Sequence, residues 1–183
     1  MESQPFLIAL GKKLPPFHEI SSLFATIVFL VYCWTSVAFL WKVPIWNYFL
    51  SPGEIAIIVA YILASSLFES ALILFVFLFA SLVLPSRWLS NKFIVRSSII
   101  IFALTFWVAL FDLSSLLELP TKRDILTFMV GFPLTAGLGI LLADRMSLVR
   151  RLMIFVSDQL IVFLYLWIPL SLIGTLIVIL RII

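Results

Sequence analysis

One cysteine, one histidine and few charges set the first limits on this 183-residue chain. Cys33 alone cannot form an intramolecular disulfide, so cysteine usage gives no redox compartment. A single His and a single Cys rule out the usual His/Cys metal-ligand sets. They also leave no histidine pair for axial haem ligation. His18 is the only imidazole available to a Ser–His pair, and it lies beside Glu19 near the start of the first apolar stretch. Neither a Walker loop nor a dinucleotide fingerprint occurs. The acidic residues are too dispersed for a two-metal centre. No catalytic residue, cofactor or metal site is assigned on these grounds, and the chain is expected not to be an enzyme.

The shortage of charge is the more telling absence. Charged residues make up 11% of the chain, against about 25% in soluble domains. The net charge of +3 is too small to point to nucleic acid as a partner. What replaces the charge is apolar: 64% of residues are hydrophobic. One soluble core of this length cannot hide so much apolar surface. A bilayer resolves the conflict, and membrane lipids are the first expected partner.

A spanning helix needs about 20 mostly apolar residues. Five segments qualify: Leu23 to Trp41, Ile55 to Leu84, Ser97 to Leu117, Ile125 to Ala143 and Leu152 to Leu180. The second and fifth exceed a minimal span, which predicts tilt, a kink or projection beyond the lipid. Pro169 places the expected kink in the fifth. Ser51-Pro52-Gly53-Glu54 has an N-cap, a proline at the first helical position and a capping-box glutamate. Thr121-Lys122-Arg123-Asp124 repeats the cap with an acidic third position, after Pro120. Pro85 is expected to stop the second span. Lys12 and Lys13 ahead of an apolar stretch, with Ser36-Val37-Ala38 as a small-x-small site, have the outline of a secretory signal. With Met1 at the start, that stretch is expected to stay as a transmembrane helix or signal anchor.

Basic residues set the expected orientation. With the N-terminus inside, the inner segments hold Lys12, Lys13, Arg87, Lys92, Arg96, Arg145, Arg150 and Arg151, eight in all. The outer segments hold Lys42, Lys122, Arg123 and Arg181, four in all. The positive-inside rule then favours a cytoplasmic N-terminus and an external C-terminus. Trp41, Trp46 and Tyr48 around the first outer loop, and Trp88 in the first inner loop, fit interfacial belts. Phe6 to Lys13 has the character of a short interfacial segment. No repeat, linker or inverted symmetry is visible.

The costly residues are the functional candidates. Glu69 falls near the middle of the second span, where a charged acid costs at least ~2.5–3.5 kcal/mol. On a helical wheel, Ala56, Ala60, Ala64, Ser70, Ala71 and Ser81 form a small-residue stripe, and Glu69 lies nearly opposite with Ser65 and Ser66. Small residues let helices approach, so a neighbour on each side of this helix is expected. Glu69 is either a proton or cation site or a protonated carboxyl that binds a neighbouring helix. Asp158 lies inside the fifth span near Gln159, and Tyr165 and Arg151 are each seven residues away. It is either an interfacial ion-pair partner or the inner mouth of a polar pathway. Asp112, near Ser114 and Ser115, marks the outer part of the third span. Together the three would make a carboxylate ladder for proton or cation passage. Gly131, Pro133, Gly137 and Gly139 in the fourth span allow either close packing, with Gly131, Thr135 and Gly139 four apart, or a broken helix that exposes backbone.

The expected fold is a single all-α domain over residues 1–183, a polytopic bundle of about five spanning helices. The expected function is that of a non-catalytic membrane subunit or interaction protein in a larger membrane assembly, its partners other membrane subunits or a second copy. The alternative is a small proton- or cation-coupled transporter or channel. An intramembrane enzyme acting on lipid has the least support, because no nucleophile–base pair occurs. Nothing points to an organelle, so a cell (inner) membrane is the default location.

Overall fold

The computed structural model describes residues 15–83, 93–117 and 121–182. Among them are six α-helices and no strand: α1 Phe17–Phe49, α2 Pro52–Val83, α3 Phe93–Leu117, α4 Lys122–Arg145, α5 Ser147–Gln159 and α6 Ile161–Ile182. They supply five stretches long and apolar enough to cross a bilayer, with α5 and α6 forming the fifth. The chain is an all-α membrane bundle. Lys12, Lys13, Pro85, Arg87, Trp88, Lys92, Pro120 and the Phe6–Lys13 segment lie outside the described residues.

Both sequence-read caps are present. The Ser51 backbone N–H donates to Glu54 Oε2 at 2.8 Å, and the Glu54 N–H reaches Ser51 Oγ at 3.4 Å. Thr121 and Asp124 form the same reciprocal pair at the start of α4. Each pair satisfies amide groups that a helix start leaves without intrahelical partners.

Two features depart from the sequence expectations, and a third decides between two of them. First, α1 runs on through Pro44 to Phe49, so Trp41, Trp46 and Tyr48 are on the helix and not in a loop. Its 33 residues span about 50 Å, against about 30 Å of hydrocarbon, so part of it projects beyond the lipid. Second, the fifth span is interrupted at Leu160, and the helix beyond it runs on through Pro169. Leu160 donates its N–H to Val156 O at 3.1 Å, and Phe163 donates back to Leu160 O at 3.0 Å. The ladder thus tightens to a three-residue bond just after Ser157-Asp158-Gln159, whose first two side chains bond outward to other helices. Third, α4 passes through Pro133 as one continuous helix, so its backbone is not broken open.

Helix α1 is the hub, packed on α2, α3, α5 and α6, while α4 packs chiefly on α3 and α5. Leu23 and Ile27 of α1 meet Phe93 and Ile101 of α3, with Ile73 and Phe77 of α2 against them. Val28 and Tyr32 meet Leu63 of α2 and Trp167 of α6. Helices α2 and α6 touch closely at Gly174, where a Cβ would stand 3.0 Å from the Ala60 carbonyl oxygen. In lipid such contacts gain dispersion rather than hydrophobic free energy, which is why small residues line them.

Candidate functional site

The buried face of α1 carries hydroxyls at several levels. Ser22 and Thr26 are fully buried. Ser22 Oγ donates to Asp158 Oδ1 of α5 at 2.9 Å, and Thr26 Oγ1 donates back to the Ser22 carbonyl at 3.0 Å. His18 Nε2 stands 3.8 Å from the same Asp158 oxygen, an ion pair when the imidazole is protonated. Beside them Ser98 of α3 and Ser157 of α5 share a hydrogen bond of 3.0 Å. On the same end of the bundle Arg96 of α3 donates to Asp144 of α4 at 2.9 Å. One end is therefore tied across α1, α3, α4 and α5 by polar groups.

A second polar level lies further along α1. The Tyr32 hydroxyl bonds Ser171 of α6 and the Leu63 carbonyl of α2 at 3.2 Å. Ser66 Oγ of α2 donates to Thr35 Oγ1 at 3.3 Å. Ser70 and Ser171 also bond carbonyls one turn back in their own helices, a common way to satisfy a hydroxyl away from water. Sequence reasoning read Ser66 and Ser70 only as small residues around Glu69 and missed Tyr32, Thr35 and Ser171, because a lone polar side chain in a span carries no mark of its partner. The one available signal was the Ser22/Thr26 spacing of four.

The sequence-read carboxylates are not brought together. Asp158 faces α1, as described. Asp112 is exposed near the end of α3. Glu69 is exposed about halfway along α2, on the side turned away from the bundle. Its neighbours Ser66 and Ser70 are fully buried, while Ser65 and Phe68 are exposed with it. The inward stripe of α2 is thus Ala60, Leu63, Ser66, Ser70 and Ser81. Among the described residues, no helix covers Glu69's own face.

The glycines of α4 face different ways. A Cβ on Gly131 would lie 2.1 Å from the Trp107 ring, and one on Gly139 would lie 2.7 Å from Ile99, both in α3. Trp107 leans across Gly131, and its indole N–H donates to Thr135 Oγ1 at 2.9 Å. Gly137 has open space beside it. Among the described residues, no group of three or more His, Cys, Asp or Glu is placed to hold a metal ion.

No family model, curated protein or solved structure matches the chain. Function is therefore argued from these residues alone.

Proposed function

We propose that this chain is a non-catalytic membrane subunit whose α2 outer face meets a helix of another membrane polypeptide, a second copy included. The exposed Glu69 carries the proposal. A carboxyl at mid-span is costly in contact with acyl chains whether it is ionised or neutral without a partner. A facing helix would supply a hydrogen-bonding group and remove that cost. The proposal places the N-terminus in the cytoplasm, on the eight-to-four bias of basic residues. It places the protein in a cell (inner) membrane. Its test is a photo-crosslinking residue at Ser65, one turn from Glu69 on the same exposed face. Expected is a discrete adduct with another polypeptide. Labelling of lipid alone contradicts the proposal.

A second reading, proton or cation passage, draws support from the hydroxyls along α1. Asp158 with Ser22 would form its inner mouth, and Tyr32 with Ser171 its next station. Tyr32 follows Thr26 by six positions, or about 9 Å of helix, and Ile27 and Val28 between them are fully buried. Among the described residues, no side-chain hydrogen bond bridges that interval, so the subunit reading is favoured. Proton flux in liposomes that falls in Asp158→Asn would reverse this preference.

A further inference from the structure

We infer that the cavity between α3 and α4 binds an organic ammonium cation, on a lipid headgroup or free. This inference is independent of the proposed partner at Glu69. The cavity measures about 300 Å³ and is lined by Trp107, Leu110, Phe111, Asp124, Thr127 and Phe128. Three of the six are aromatic, and their rings are steeply inclined to one another. Trp107 and Phe128 have centroids 6.4 Å apart at 87°, and Phe111 and Phe128 are 6.1 Å apart at 68°. A cation within about 6 Å of a ring centroid is attracted by the ring face. At these separations an ion beside Phe128 lies within range of more than one ring.

The packing explains why the space exists. Gly131 offers no side chain, so Trp107 tilts across α4 toward Thr135. The hollow is left between that indole and the first turn of α4. Asp124, Thr127 and Phe128 place the cavity beside the first turns of α4.

Charge fits the same ligand. Asp124 Oδ2 accepts from the Thr121 backbone N–H at 2.8 Å and from Thr121 Oγ1 at 2.7 Å. Both bonds hold the carboxylate in place, and neither uses Oδ1. The N-terminus of α4 opposes a cation with roughly half a positive charge, which the full carboxylate charge exceeds. Lys122 and Arg123 do not line the cavity, although the Arg123 charge acts on the Asp124 carboxylate from outside it. An anion would meet the carboxylate, and a neutral group would gain nothing from its charge; the Thr127 hydroxyl already donates to the Arg123 carbonyl at 2.8 Å.

The test uses the full chain in phosphatidylglycerol nanodiscs, titrated with tetramethylammonium. The readout is the indole N–H resonance of Trp107, identified by its loss in Trp107→Phe. Expected is a saturable shift, with affinity weakened about tenfold in Phe128→Leu and in Asp124→Asn. Because Asp124 also caps α4, Thr121→Ala serves as the control: it damages the cap, keeps the carboxylate and retains binding. The neutral tert-butanol, similar in bulk, is expected to give no saturable shift. Phosphatidylcholine nanodiscs separate the two sources. A resonance already at the shifted position, unmoved by added salt, assigns the site to a lipid headgroup. A shift appearing only with added salt assigns it to a free ammonium. No shift in either lipid, equal binding of tert-butanol, or loss of binding in Thr121→Ala overturns the inference.

Discussion

Helices α1 and α4 are both apolar enough to cross a bilayer, yet 33% of the central window of α1 is buried in the bundle and only 6% of that of α4. Along residues 22–35 of α1 three polar levels have fixed partners: Asp158 for Ser22, Ser171 for Tyr32, Ser66 for Thr35. On α4 the inward contacts are few: Gly131, Thr135 and Gly139 against α3, the buried Ala136 and Ala143, and Asp144 paired with Arg96, while most of its other side chains are exposed. Hydropathy alone does not distinguish the two, because in a membrane both lipid and neighbouring helices accept apolar side chains. The difference lies in small and hydroxylated residues, and it gives the hub order and the edge helix freedom to form a ligand cavity.

The sharpest way to break this contrast is to overfill the hub. Ala25 of α1 is fully buried, so Ala25→Leu is expected to destabilise the bundle by about 1–3 kcal/mol, measured by reversible unfolding in mixed micelles. The next effect is on the edge. Gly131→Ala must displace Trp107 and with it the bond to Thr135, for an expected loss of about 1 kcal/mol and a changed Trp107 indole resonance. Tyr32→Phe removes one interhelical hydroxyl while Ser171 keeps its own carbonyl acceptor; about 0.6 kcal/mol is expected in the same unfolding assay. Leu138 of α4 is exposed, and Leu138→Ala is expected to change stability by less than about 0.5 kcal/mol. A loss there equal to that of Ala25→Leu would erase the distinction between hub and edge.

The spans and their starts were legible for clear physical reasons. Twenty apolar residues need a bilayer, and Ser51 with Glu54 and Thr121 with Asp124 are chemical signatures of helix starts. The interruption at Leu160 carries no such mark, since neither proline nor glycine stands there. It coincides with Ser157 and Asp158 bonding to other helices, which depends on the tertiary fold. The continuation of α1 to Phe49 was hidden for the opposite reason: a helix needs no lipid to continue, so the end of hydrophobicity is not the end of the helix. Only part of the small-residue stripe of α2 marks its inward side: Ala60, Ser70 and Ser81 are buried, Ala56 and Ala71 are exposed, and Ser66, read on the side of Glu69, is buried. Glu69's side was read as a second helix contact, and within this chain it is open. A wheel separates two faces of a helix but does not say whether lipid or protein lies beyond the second. The aromatic cavity was invisible because Trp107, Phe111 and Phe128 converge only when α3 and α4 pack.

The proposed contact of Glu69 with another polypeptide in the membrane is tested most directly by the native mass of the protein taken from its own membrane into lipid nanodiscs, compared with Glu69→Leu. A defined complex is expected for the unaltered chain and a single chain, still folded, for the variant. A single chain in both, with Glu69 left against lipid, would contradict it.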